Sequence, residues 1–317
     1  GGTEEGQREV LAGYGITEER LGVPVVTTVD TVYLGNCANG RPVWFDRAAY
    51  EADLIVPINR VKLHTDFVGP IQSGLCKMLV IGLGNHKGCS AVHEEAPEVF
   101  ADAIEETARL ILQKAPVGFG IAILENAYDK TYAVEAVPAE HLVEREKELV
   151  QIAKGNMPYI MLDEADVIVC GAIGKDISGA GFDPNILGRS SVLKQFVLHI
   201  PRYQRLVLCD VTPASHGNGI GVGLFDVITK KVAEQLDLES MYANAIACNC
   251  LGDASVPCTV DDEETAIRVA LKCCRNIDRD HPRIIRIQNT LHLGEIEVSE
   301  ALLDAVRADS RMSLIEN

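Results

Sequence analysis

Two hydrophobic periods alternate along this chain. Short β-branched runs at 25–32 and 53–58 predict strands, with a helix-like stretch at 45–52 between them. From 97 to 114, Val99, Ala103, Ile104, Ala108 and Ile111 recur at helical spacing. Glu98, Asp102, Glu105 and Glu106 take the more polar face of that helix. Residues 117–124 form a near-continuous apolar run of strand length, the pattern of a strand covered on both faces. A further helix is expected over 138–154, stopping before Gly155-Asn156.

After Met157-Pro158 the pattern restarts. Strands are expected at 166–170, 205–211 and 283–287, and helices at 224–236, 262–274 and 299–306. An α/β fold of two successive units, 1–157 and 158–317, fits this better than one continuous sheet. The last helix is expected to pack back on the first domain.

Composition narrows the function classes. The 317 residues are 47% hydrophobic and 24% charged, the balance of a soluble globular protein. A net charge of −17 repels phosphate backbones and anionic membranes as a whole, which argues against nucleic-acid and membrane partners. Aromatic residues are only 5%, with Trp44 the one tryptophan, too few for base-stacking platforms. No stretch approaches the roughly 20 apolar residues that span a bilayer. Ten cysteines, with Cys170 and Cys209 inside apolar runs, read as buried reduced thiols of a cytoplasmic protein.

Functional groups concentrate at 59–93, NRVKLHTDFVGPIQSGLCKMLVIGLGNHKGCSAVH. His64 follows a predicted strand at its carboxyl end, where ligands bind in α/β sheets. Lys77 sits among Leu75, Cys76, Met78, Leu79, Val80 and Ile81. A lysine there either snorkels its charge to water or is held in a cleft as a neutral nucleophile. His86 and His93 are seven apart, but Gly84 and Gly88 weaken a helix between them. A metal pair and two ordinary histidines both remain open. The run GLGNHKG at 82–88 lacks the context of a dinucleotide fingerprint.

This segment resembles the nickel-dependent lactate racemase family of 2-hydroxy acid racemases and epimerases. Ser73-Gly74-Leu75-Cys76-Lys77 matches the family's Ser-Gly-x-x-Lys, and His93 lies sixteen residues beyond the lysine, as in the family. The resemblance implies a nickel-pincer nucleotide, a pyridinium-3,5-bisthiocarboxylic acid mononucleotide, covalently joined to Lys77. Ser73 and Gly74 would help bind it, His93 would ligate nickel, and His64 would be a catalytic acid/base. It further implies a cleft for the cofactor between the two domains, a small 2-hydroxy acid as substrate, and separate enzymes that make the cofactor. The spacing from His64 to Lys77 is longer than in the founding members, and Gly69-Pro70-Ile71-Gln72 replaces their Gly-Tyr motif. The chain therefore looks like a divergent branch. In that branch a second catalytic histidine and a substrate arginine would precede Gly1.

Such chemistry explains the residue types. The Cα–H of a 2-hydroxy carboxylate is too weakly acidic for a histidine, so removal as hydride to a cofactor electrophile is the easier route. Histidine titrates near working pH and can exchange the hydroxyl proton in both directions.

In the second domain, the glycine-rich loop 174–181 carries Lys175 and leads to Arg189. By position these two would bind the cofactor's phosphate or a carboxylate, with a structural turn as the alternative. His216, in 212–219, reads as a turn residue or a ligand contact. Cys248, Cys250 and Cys258 form an incomplete zinc pattern, and Cys273-Cys274 a packed helical pair. Two other functions compete with the racemase: a zinc or iron hydrolase using His64, His86 and His93, and a non-catalytic module holding a phosphorylated ligand at 174–181.

Overall fold

Residues 3–315 are described in a computed structural model, where they form two compact units, 3–126 with 131–156, and 127–130 with 157–315. The architecture is mixed α/β, as expected.

The first unit holds a two-stranded hairpin and a three-stranded sheet. The hairpin pairs Thr31–Asn36 with Pro42–Asp46. The run at 25–32 is a strand only at its end, because residues 25–30 have no partner strand. The helix expected over 45–52 contracts to Arg47–Tyr50, capped by Asp46, since Phe45 is fully buried as part of the hairpin. In the second sheet Phe119–Glu125 lies between Ile58–Arg60, parallel, and Thr131–Pro138, antiparallel. Gly120, Ala122 and Leu124 face inward, whereas alternate positions stay partly exposed. That strand is therefore covered on one face, not both.

Two helices back this sheet and fix the segment bearing Lys77. Phe100–Lys114 buries Phe100, Ala103, Ile104, Thr107, Ala108 and Ile111, the stripe that its periodicity predicts. Leu142–Asn156 buries Leu142, Glu146, Leu149 and Ala153. Both pack against the short helix Leu75–Lys77. Gly120 admits Leu75 closely: a Cβ there would lie 2.6 Å from Leu75 Cδ1.

The second unit is a six-stranded sheet. Its order is Ile296–Val298, Ile284–Ile287, Val167–Cys170, Arg205–Leu208, Val227–Thr229, Cys258–Val260, parallel except at the first strand. Ile168, Cys170, Leu206 and Leu208 bury toward Phe182 and Ile186. Val167, Val169 and Val207 bury on the other face, toward Ala266 and Ala270 of the helix Glu263–Lys272. The stretch 224–236, expected as a helix, divides into the strand Val227–Thr229 and the helix Lys230–Gln235. Val227 and Ile228 are drawn into register with Val207 and Leu208, and Thr229 caps the helix. Leu302 and Val306, from the last helical segment, bury in the second unit's own core. No helix among the described residues is long and apolar enough to cross a membrane.

Arg41 ties the hairpin to the helix that begins at Phe100. Its side chain, 5% exposed, pairs with Glu95 at 2.5 Å and Glu106 at 2.8 Å and donates to the Ala103 carbonyl at 3.2 Å. Removing one partner of a buried ion pair strands the others. Arg41→Ala should lower the urea unfolding free energy by about 3 kcal/mol. Arg41→Lys should recover only part of it, because an ammonium cannot reproduce the fork of the guanidinium.

Candidate functional site

The site grows from one strand end and one turn. Beyond Ile58–Arg60 the chain makes an antiparallel bridge between Lys62 and Ser73, with Lys62 N–H donating to Ser73 O at 2.8 Å. The loop thus enclosed carries His64, Asp66 and Phe67. Gln72, 3% exposed, braces it: its Oε1 accepts the His64 N–H at 2.7 Å and its Nε2 donates to Gly69 O at 3.1 Å. Asn59 Nδ2 donates to Gly74 O at 2.9 Å, tying the strand to the start of the helical turn.

After Leu75–Lys77 the helix widens into a π-turn, Met78–Gly82, and then re-forms as Asn85–His93. Such turns recur at functional positions. The last helix forms despite Gly84 and Gly88, correcting the expectation that they would weaken it. Gly88 lies against the hairpin, where a Cβ would stand 3.0 Å from Trp44 O, so the glycine serves packing.

His64 and Lys77 meet. Lys77 Nζ lies 2.5 Å from His64 Nε2, and both residues are half-buried. The Asp66 backbone N–H donates to His64 Nδ1 at 3.0 Å. Since Nδ1 accepts, the ring hydrogen sits on Nε2, facing Lys77. An ammonium there would set donor against donor, so a hydrogen bond across this contact takes Lys77 as a neutral amine. The electrostatics bring that form within reach, with the amine predominating above about pH 8. Burial above all pulls the Lys77 ammonium down to about 8; Lys62 adds repulsion, while Asp66 and Cys89 oppose the shift. Burial, followed by Lys77, Lys62 and His93, holds His64 well below the ordinary imidazole range.

His93 belongs to the same cluster through two phenyl rings. His64 stacks on Phe67 at 4.2 Å between centroids, Phe67 meets Phe100 at 4.9 Å, and Phe100 meets the His93 ring edge-on at 5.0 Å. Phe67 and Phe100 are both buried. His93 Nδ1 is 2.8 Å from the Cys89 carbonyl, an acceptor only, so Nδ1 carries the hydrogen and Nε2 keeps its lone pair. Hydrogen bonding to Cys89 raises its basicity. A histidine fixed this way suits metal ligation.

Beneath the turn lies a fully buried acid. Glu146 accepts the Cys76 N–H at 2.8 Å through Oε2, while Oε1 has no hydrogen-bond partner. Burial pushes this carboxyl up to about 7. Gly74 is shaped to it: a Cβ at 74 would lie 2.7 Å from its carboxyl carbon.

His86 is exposed near the start of its helix. Among the described residues no three His, Cys, Asp or Glu side chains converge as metal ligands, so His64, His86 and His93 form no three-histidine centre. The same holds for Cys248, Cys250 and Cys258. Cys248, Cys258 and Cys273 are exposed, whereas Cys170, Cys250 and Cys274 are buried.

The loop 174–181 lies at the carboxyl ends of the second sheet's strands, yet it is largely closed on itself. The amides of Gly174, Lys175, Ile177, Ser178 and Gly181 bond to Gly181 O, Ser215 Oγ, Gly174 O, Gly174 O and Ser178 O. Lys175 Nζ donates to Gly179 O at 2.6 Å. Arg189, expected at the cofactor, instead pairs with Asp226 at 2.6 Å, donates to Leu224 O at 2.9 Å and lies over the Tyr203 ring. These bonds account for both cations and most of the loop amides without a phosphate. His216 adopts a left-handed conformation at φ 47° as the cap of a turn.

Phe67, Asp66, Phe100 and Glu146 were not singled out from sequence. Only Glu146 left a signal there, an acid on the stripe Leu142, Leu149 and Ala153.

No protein-family model and no curated protein matches this chain. Among solved structures it is similar to the lactate racemase apoprotein from Thermoanaerobacterium thermosaccharolyticum. The TM-score is 0.44 and the identity 13%, over 82% of this chain and 67% of that one. It is similar also to a Thermotoga maritima protein solved by the Northeast Structural Genomics Consortium, with a TM-score of 0.43 and 13% identity over 78% and 68% of the two chains. At this identity the likeness concerns the α/β fold.

Two measurements check these electrostatics. Amine acylation followed by peptide mass spectrometry should give Lys77 a midpoint near 8, about two units below exposed lysines. The Glu146 carboxyl titrates higher in the folded chain than in the unfolded one. Its contribution to stability is therefore intact below about pH 4 and lost as pH rises through about 7. Glu146→Gln should be more stable than the parent at pH 8 by on the order of 2–3 kcal/mol, with the gap closing toward pH 4.

Proposed function

We propose that this chain is a racemase or epimerase of a small 2-hydroxy acid, acting by reversible hydride transfer with a nickel-pincer nucleotide carried on Lys77. The observation that carries the reading is the half-buried Lys77 amine, its ammonium pulled down to about 8, in contact with His64 on the same aromatic wall as His93. The residues fit the group. A neutral primary amine is the form of lysine that can be acylated. His93 keeps Nε2 available for a metal, with its other ring nitrogen anchored to a carbonyl. The bound group would supply the electrophile that takes hydride from the substrate carbon.

The remaining work falls to side chains of this chain. His64 Nδ1 is engaged by the Asp66 amide, so proton exchange occurs at Nε2 alone. Once Lys77 is acylated its nitrogen is no longer basic, and His64 Nε2 becomes the titrating atom beside the substrate hydroxyl. Burial keeps that imidazole neutral at working pH; to take the hydroxyl proton at Nε2 its hydrogen must first pass to Nδ1, which breaks the bond from the Asp66 amide. Phe67 and Phe100 exclude water from the space beside it, which protects a keto intermediate and strengthens the local hydrogen bonds. Ser73 and Gly74 would contact the cofactor through the strap that also positions Lys77. Lys175 and Arg189 belong to the second unit, where they bond to Gly179 O and Asp226, and this reading assigns them no step.

Production of the chain together with the enzymes that make the cofactor tests the proposal. Intact-mass analysis should show an adduct on the peptide containing Lys77 and one nickel per chain. Lys77→Ala should carry neither, while His93→Ala should keep the adduct and lose most of the metal. An unmodified Lys77 peptide from protein that racemises a 2-hydroxy acid would end the proposal.

A further inference from the structure

Glu146 is the buried ionisable group that this chemistry leaves unused. It comes from a different part of the chain, seventy residues after Cys76, and its carboxyl occupies the space where any residue but glycine at 74 would place a Cβ. One oxygen holds the Cys76 amide in the turn immediately preceding Lys77, and the other finds no partner. An apolar residue at 146 would complete the stripe of Leu142, Leu149 and Ala153 at no desolvation cost. A carboxyl retained there at the expense of stability, against the reactive segment, points to function.

We propose that Glu146 is a positioning residue: through the Cys76 amide and the missing side chain of Gly74 it clamps the start of the turn and aims the Lys77 amine at His64. The inference rests on Lys77 being the reactive group of the function proposed above. Its effect passes through the backbone, because the charged neighbours that act on Lys77 are Asp66, Lys62 and Cys89, not Glu146. The groups acting on Glu146 itself are the amide and thiol of Cys76 and the Leu75 amide, while Glu105 and Arg109 of the helix Phe100–Lys114 act on the Cys76 thiol. On its own helix Arg145 and Lys147 are engaged with Glu135, Glu148, Glu105 and Glu144.

Acetic anhydride labelling of the cofactor-free chain, read at the Lys77 peptide from pH 6 to 10, tests this without nickel or turnover. Releasing the turn lets the amine swing to water and regain its charge. In Glu146→Leu, which removes the acceptor, and in Gly74→Ala the midpoint should therefore rise by about one unit, which slows labelling at pH 7 about tenfold, whereas Glu146→Gln keeps an oxygen that accepts the Cys76 N–H and should label like the parent. Glu146→Asp should fall between Glu146→Leu and the parent. Circular dichroism and thermal unfolding confirm that each variant is folded. A folded Glu146→Leu that labels as fast as a parent with a midpoint near 8 overturns the role of Glu146 and leaves Lys77 as the reactive group. A parent whose Lys77 labels like an exposed lysine overturns both.

Discussion

The first unit is organised around a hydrogen bond between two bases. Lys77 and His64 would both be cationic in water near neutrality or just below it, yet here their nitrogens touch at 2.5 Å. That contact is a hydrogen bond only when neither carries an extra proton, and desolvation favours that state by holding His64 well below the imidazole range and drawing Lys77 down to about 8. The surrounding structure can be understood as the means of keeping water out while holding those two nitrogens in register. Phe67 and Phe100 supply the dry wall, the Asp66 amide fixes which ring nitrogen faces the lysine, and Gln72 braces the loop that carries the histidine.

Polar groups in the two units are used differently. Around Lys77 several are engaged by one hydrogen bond and left otherwise free: His93 Nε2 retains a lone pair, and Glu146 Oε1 is unpaired. In the second unit the glycine-rich loop closes most of its amides on itself and on Ser215, and Arg189 is held by Asp226 and Leu224. In the proposals above His93 Nε2 is thereby left to take a metal, whereas the Glu146 carboxyl acts on the turn that carries Lys77.

Much of the framework was legible in the sequence. The stripe on Phe100–Lys114 and the apolar runs at 167–170 and 205–208 announced helix and buried strands, because each period matches one backbone repeat. Errors arose where pairing overrode local preference. The stretch 224–236 was long enough for a helix, but Val227 and Ile228 gained more from joining a parallel sheet. At Gly88 the helix survived a residue that disfavours it, since the hairpin backbone approaches too closely for a side chain.

The sequence by itself determined where ionisable side chains gather. His64, Lys77 and His93 lie in an apolar, glycine-punctuated stretch, and it is the resemblance of Ser73-Gly74-Leu75-Cys76-Lys77 to a family pattern that singled them out. Only the tertiary structure decided their state. Whether Lys77 is an ammonium or an amine depends on burial, on the Asp66 amide and on ring contacts with Phe67, all set by how a closed loop lies over a turn. Glu146 belongs to the second class still more clearly, because its partner in space is seventy residues away and no local pattern encodes that distance. Ionisation and hydrogen bonding respond to solvent exclusion and three-dimensional proximity, which sequence order does not specify.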